Sequence, residues 1–311
     1  MIMCHNPMKK IELLCNGCVI PIMEMPFYKC WAKEDENCNF ALHEWCTPIP
    51  TKVDNHPAHP QHTFLLMTNI SNMFNIFRCD VCFFPCNGFA YGCVECGFYV
   101  DVTCGFIPEK ITHESHPNHL LPIVKEDLPS KWCLMCHLPI DYNCLWSKQY
   151  KLSFSCGFCD VYIHLGCALF LPMTIRHPYD KHPMHICNLP IENHKSEYFC
   201  EICEEPLNPH ICFYHCDVCS QSVHSDCAPL ILKCETEIYS KYRQGIYFFL
   251  NMKFGSIHKT DGHPHPLTFA QGIESDGLCS VCAKELRLGW ILRCSECEFA
   301  LYHNCSVPMD L

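Results

Sequence analysis

The sequence predicts a tandem array of small α+β modules, with short strands and brief helices held by metal ligands rather than by one large core. Three observations predict it. The 311 residues include 31 cysteines and 21 histidines. The cysteines fall in CxxC pairs that recur along the chain. Histidines stand at repeated offsets from those pairs, in HPxH and HxxC arrangements.

So high a cysteine content leaves two readings, a disulfide scaffold or a metal array. A disulfide scaffold calls for a secreted chain and gives histidine no special place. Here the cysteine count is odd and the histidines follow the cysteines. Lys9 and Lys10 precede Glu12, Cys15 and Cys18, with no small-residue cleavage site, so no secretory leader is expected. The longest apolar run, GIYFFLNMKF around Phe248, is about half a membrane span. The expected setting is intracellular and reducing, cytoplasmic or nuclear. The formal net charge of −11 and the lack of a Lys/Arg run argue against nucleic acid and anionic bilayers as partners.

The repeat has five copies, each with CxxC, an aromatic-bearing spacer, a second cysteine pair and an HxxC-type close. Copy one has Cys15 and Cys18, then Cys30, a long gap to Cys38, and ALHEWC with His43 and Cys46. Copy two opens with His59 and His62, continues with Cys79, Cys82, Cys93 and Cys96, and ends at Cys104. Copy three has His116 and His119, Cys133 and Cys136, Cys156 and Cys159, then His164 and Cys167. Copy four has His182 and His185, Cys200 and Cys203, Cys216 and Cys219, then His224 and Cys227. Copy five has His263 and His265, Cys279 and Cys282, Cys294 and Cys297, then His303 and Cys305.

Two cysteines separated by two residues can sit on one tight turn with both sulfurs aimed at a point, and a tetrahedral zinc ion takes two such pairs, or one pair with a His and a Cys. A lone CxxC is weak evidence, because redox motifs share it. Five copies with HxxC behind them are strong evidence. Modules of about 50–60 residues bury too little apolar surface to be comfortably stable alone. A structural zinc contributes roughly 10–16 kcal/mol of apparent binding energy near neutral pH, and that energy is folding energy.

The HPxHxL, CxxC, YxCxxC and HxxC blocks resemble the plant divergent C1 (DC1) modules of the cysteine/histidine-rich C1 family over nearly the whole chain. The resemblance implies short strands in two small sheets, a brief terminal helix and two interleaved zinc sites per module. In that scheme the first CxxC shares an ion with HxxC, giving Cys15/Cys18/His43/Cys46, Cys79/Cys82/Asp101/Cys104, Cys133/Cys136/His164/Cys167, Cys200/Cys203/His224/Cys227 and Cys279/Cys282/His303/Cys305. The second pair shares an ion with the opening His and a ligand after HxxC. His56, His113 and His177 follow Cys46, Cys104 and Cys167 with eight or nine residues between, and Cys234 follows Cys227 with six. The implied second sets are His62/Cys93/Cys96/His113, His119/Cys156/Cys159/His177 and His185/Cys216/Cys219/Cys234. Spacing leaves open whether His59, His116 and His182 replace their neighbours.

Several positions depart from the pattern. Asp101 holds a histidine position; it either ligates through oxygen or leaves a weak or open site. Tyr302 holds another, with His303 one place late, so the local element would have to shift to turn His303 inward. Module five ends without a closing ligand, and module one offers only His5 as an opening one. The expected load is seven to nine zinc ions, not ten.

The spacing divides the chain into modules at 1–56, 57–113, 114–177, 178–234 and 263–311, with 235–262 as a linker or insertion. Tyr28, Tyr91, Phe154, Tyr214 and Trp290 precede the second pairs and are expected to form the small cores. Pro48, Pro108, Pro172, Pro229 and Pro308 follow HxxC and would stop a helix after about one turn. Cys4, Cys86, Cys144, Cys187 and Cys212 fit no site and are expected as free thiols or small apolar fillers. His137, His194, His210, His215 and His258 are expected at the surface or in packing.

The expected function is a non-catalytic array that presents loops to proteins in signalling. Lipid sensing is the first alternative, since C1 domains proper bind diacylglycerol. The lipid-binding members are similar to one another in a Gln–Gly just before the second pair, which no copy here has. Apolar tips do exist, at VCFFP around Phe83 and LGWIL around Trp290. Thiol–disulfide chemistry is the second alternative, disfavoured because closed four-coordinate sites leave no free nucleophile.

Overall fold

The CxxC pairs close tight turns in the computed structural model, which describes residues 13–22, 26–30, 39–70, 74–125, 131–136, 139–140, 152–175, 177, 180–187, 199–208, 212–225, 227–228, 251–260 and 262–306. The amide four residues after the first cysteine donates to that cysteine's carbonyl, as from Val19 to Cys15 (3.1 Å), Phe83 to Cys79 (2.8 Å) and Ser220 to Cys216 (2.8 Å). The residue after the second cysteine turns left-handed, with φ of 59° at Val19, 64° at Phe83, 61° at Glu204 and 56° at Ser220 and Ala283. That conformation costs a non-glycine residue roughly 1–2 kcal/mol, and in return both sulfurs face one point.

The described residues form four four-stranded antiparallel sheets and two two-stranded ones. Lys52–Val53, Phe64–Met67, Ala90–Cys93 and Phe98–Asp101 make the sheet of module two. The module-three sheet runs Lys110–His113, His116–Lys125, Leu152–Cys156, Val161–His164. Thr174–Ile175, Met184–Cys187, Phe213–His215 and Ser222–His224 form the sheet of module four. The fifth module uses Ile257–Thr260, His263–Gln271, Trp290–Cys294 and Ala300–Tyr302. Ligand spacing puts Lys52–Val53, Lys110–His113 and Thr174–Ile175 at the ends of modules one to three, yet each pairs into the sheet that follows it.

Helices are brief. Val102–Gly105 (α1) and Leu165–Phe170 (α2) each follow the last strand of a module, and a 3-10 turn at Glu44–Cys46 does so in module one. No helix among the described residues is long and apolar enough to cross a membrane.

Tyr91, Phe154 and Tyr214 are fully buried on the third strands. Their burial on the pleated face fits aromatic strand propensity. Tyr91 and Tyr214 also donate their hydroxyls to the carbonyls of Pro50 (2.6 Å) and Pro172 (2.7 Å), where the chain enters the edge strand. Tyr28, by contrast, is 55% exposed, and Trp290 is half-buried. In module five the fully buried Leu292 takes the core place two residues before the second pair.

Residues 251–260, just before module five, are fastened down rather than free; 235–250 lie outside the described residues. Lys253 is buried, and its ammonium donates to the Leu14 carbonyl (2.8 Å), Asn16 Oδ1 (2.6 Å) and the Asn39 carbonyl (2.8 Å). Its backbone exchanges two hydrogen bonds with the Asn87 side chain. Phe74 of module two stacks on Phe269 of module five at 5.7 Å. Cys212 donates its thiol to the Leu134 carbonyl at 3.3 Å, joining module four to module three. Cys86 is buried in an apolar cluster with Leu14, Val19, Phe77 and Ala90. His215 is buried against Ser222, and His258 bonds Ser256.

Candidate metal centres

A tetrahedron built from zinc–sulfur bonds of about 2.3 Å and zinc–nitrogen bonds of about 2.0–2.1 Å has edges of about 3.3–3.8 Å. Ligand-type atoms in this chain meet at such separations. Among the described residues, nine groups of three or more His, Cys, Asp or Glu side chains bring one ligand atom each to within 4.8 Å of one another.

Three groups combine a CxxC turn with HxxC: Cys15/Cys18/His43/Cys46, Cys133/Cys136/His164/Cys167 and Cys200/Cys203/His224/Cys227. The histidine ends the last strand and the cysteine lies three residues on, one helical turn away and on the same face. Nδ1 of the histidine faces the sulfurs, at 3.4 Å from Cys18 and 3.3 Å from Cys136 and Cys203. The fourth sulfurs, Cys46, Cys167 and Cys227, each lie 3.9 Å from their Nδ1. Nε2 of His43 and of His164 meets the carbonyl of Pro21 (3.0 Å) and of Pro139 (3.2 Å). Those bonds place the ring proton on Nε2 and leave Nδ1 as the electron-pair donor.

The crowded sulfurs do not ionise together. Contact with Cys227, working against burial, lowers the Cys200 thiol to about 3, while contact with Cys200 together with burial pushes Cys227 well up. Contact with Cys15 likewise carries Cys18 up to about 12. A divalent cation is what lets several thiolates share one point, and its binding releases protons.

In module two a carboxylate stands in the histidine place. Asp101 is 1% exposed. Its Oδ2 lies 3.4 Å from Cys82 Sγ, and its Oδ1 accepts the Cys104 amide at 2.8 Å, capping α1. Sulfur contacts join Cys79 to both Cys82 and Cys104. In module five, Cys279, Cys282 and Cys305 come together, but His303 does not join them. Its Nδ1 meets the Trp290 carbonyl at 3.2 Å, and its ring packs edge-on to Trp290 at 5.4 Å. The one-residue offset turns it to the other side of the chain. Tyr302 holds the histidine place, and its hydroxyl donates to the Glu285 carbonyl, in the position where His43 and His164 meet Pro21 and Pro139.

The second cysteine pairs meet two histidines from the opening segment: His59/His62/Cys93/Cys96 and His116/His119/Cys156/Cys159. The first histidine presents Nε2 and the second Nδ1, at 3.2 Å from each other in both groups. Module five repeats this, with His263 Nε2 at 3.4 Å from Cys297 and His265 Nδ1 at 3.7 Å from Cys294. In module four His182 Nδ1 lies 3.1 Å from Cys219.

The closing ligands expected after HxxC lie elsewhere. His56 is buried, with Nε2 at 2.9 Å from the Cys104 carbonyl and Nδ1 accepting from the Ala58 amide. His113 Nδ1 bonds Ser115 Oγ at 2.7 Å, and His177 is buried at 2% exposure. These three pin the turn that leads into the next pair of ligands, as the His56 carbonyl does for the His59 amide at 2.8 Å. His185 sits on a strand and faces Thr174 Oγ1 at 3.1 Å, away from Cys216 and Cys219. Cys30 is exposed beside its strand. Cys38 and Cys234 lie outside the described residues, as do Cys4, His5, His137, Cys144, His194, His210, Pro229 and Pro308.

The family model described as C1 domain matches residues 57–105, 177–228 and 261–306. Each matched stretch runs from an opening ligand to the close of HxxC in modules two, four and five. No curated protein and no solved structure matches the chain. The three matched stretches are similar to C1 domains, and the same ligand geometry recurs in modules one and three, which is consistent with a C1-like, cysteine/histidine-rich domain protein.

Proposed function

We propose that the chain is a zinc-loaded, non-catalytic scaffold whose modules present their loops to protein partners in intracellular signalling. The observation that carries this reading is the closure of the ligand sets: Cys15, Cys18, His43 and Cys46 are all buried and face one point. Four protein ligands leave no coordination position for a substrate, and thiolates held by zinc are poor free nucleophiles, which argues against thiol–disulfide exchange. A reducing compartment suits the account because oxidised cysteines could not ligate. Elemental analysis, paired with a thiol-reductase assay of the zinc-loaded chain, tests it; reductase turnover above background would refute the non-catalytic part.

Lipid sensing is a second reading favoured by one observation. Ile20, Trp45, Pro48, Ile49, Pro50, Val102, Thr103 and Phe106 line an open, largely apolar groove of about 460 Å³, where Trp45 and Phe106 are exposed. Co-sedimentation with vesicles, with and without diacylglycerol, discriminates: diacylglycerol-dependent binding abolished by Trp45→Ala would favour the lipid reading.

A further inference from the structure

We propose that Asp180 is the fourth ligand of the second metal centre of module four, which makes that centre Asp180/His182/Cys216/Cys219. The proposal rests on the reading that the clusters hold zinc. It replaces the ligands His185 and Cys234 that spacing suggests.

The geometry comes first. Asp180 Oδ1 lies 3.3 Å from His182 Nδ1 and 3.4 Å from Cys219 Sγ. His182 Nδ1 lies 3.1 Å from the same sulfur, and the Cys219 amide donates to Cys216 Sγ at 3.4 Å. Asp180 also makes a side-chain contact with Cys216. These separations are close to the edges of a zinc tetrahedron.

The second observation is independent of the first. The Asp180 side chain is only 1% exposed, and its Oδ2 has no hydrogen-bond partner among the described residues. A buried carboxylate oxygen without a donor is costly. A cation held through Oδ1 at the centre of the cluster offsets the cost of burying the carboxylate's charge.

The third observation is a matter of which nitrogen faces inward. In modules two, three and five the first opening histidine uses Nε2 and the second uses Nδ1. His182 uses Nδ1, so it is the second member of its pair. The first place falls to the residue ahead of it, and Asp180 precedes His182 by two positions, as His263 precedes His265. The amide of Asp180 is pinned by the His177 carbonyl at 3.1 Å, as the His59 amide is by His56 at 2.8 Å. Exchanging an imidazole for a carboxylate changes the charge. With a divalent ion, two thiolates and a carboxylate leave a net charge of about −1, where two thiolates and two neutral imidazoles leave about zero.

Cadmium-113 NMR of the full chain tests this, because each centre gives a resonance whose position follows its ligand set. Asp180→Asn is nearly isosteric and keeps an oxygen to accept the His182 amide, but removes the anionic ligand. The expected result is that one two-thiolate resonance moves or is lost in Asp180→Asn, with the others unchanged and one ion fewer retained against a chelator. His185→Ala should leave every resonance in place. An unchanged spectrum for Asp180→Asn would overturn this proposal alone, and so would loss of the resonance in His185→Ala. A wild-type chain that binds neither zinc nor cadmium would overturn the zinc reading along with it.

Discussion

Asp101 Oδ2 stands 3.4 Å from Cys82 Sγ, where His43 and His164 stand against Cys18 and Cys136 in the neighbouring modules. One side chain thus carries two tasks, since Oδ1 caps α1 through the Cys104 amide. His43 and His164 make no such side-chain cap. Asp101→His should therefore keep the metal and lose only the cap, about 1 kcal/mol. Asp101→Ala should lose both the cap and the ligand. Metal stoichiometry and denaturant midpoints of the two variants check this; equal metal loss in both would contradict it.

Module five offers the converse case. Tyr302 holds the ligand place without supplying a ligand, and His303 faces the Trp290 carbonyl. Tyr302→His should bring an imidazole to Cys279, Cys282 and Cys305 and tighten one centre by about tenfold or more, since zinc favours four protein ligands. His303→Ala should leave the metal content unchanged. Competition against a chromophoric chelator measures both.

Lys253 ties the residues just ahead of module five to module one through three hydrogen bonds from one ammonium, and to module two through two backbone bonds with Asn87. Lys253→Met should remove three hydrogen bonds and cost about 1.5–3 kcal/mol, the range for hydrogen bonds to a charged group. Limited proteolysis should then cut faster between residues 235 and 262, while metal content stays constant. Unchanged proteolysis would show that other contacts hold the segment.

Acid should release the metal and with it the fold. Thiolates and neutral imidazoles bind zinc; thiols and imidazolium do not. The folded, metal-bound state carries fewer protons than the unfolded chain, so stability falls as pH falls. Thermal unfolding scans across pH 7 to pH 4, with zinc release followed by an indicator, should show both transitions moving together. A midpoint that holds steady while zinc leaves would contradict the coupling.

The CxxC/HxxC clusters were legible because their spacing is local: a tight turn and one helical turn are each fixed by a few residues. The opening ligands were harder. His56, His59 and His62 recur at intervals of three, and spacing alone does not say that the first is a turn pin and the other two face the sulfurs. Asp180 was missed because a carboxylate among histidines carries no signal until its burial is known. The sequence leaves open whether His303 turns inward, because one residue of offset looks small there and yet reverses the facing of a side chain at the end of a strand. The edge strands, such as Lys52–Val53, are too short to carry a period, and only pairing reveals their sheet.

The most direct test of the central claim is elemental analysis of the full chain purified without chelator. The account predicts about seven to nine zinc ions per chain, close to one for each of the nine clusters. It also predicts loss of the folded circular-dichroism spectrum once the metal is stripped. Fewer than about three ions per chain, or a spectrum unchanged by stripping, would contradict it, because closed tetrahedral ligand sets of the standard kind recur along the chain.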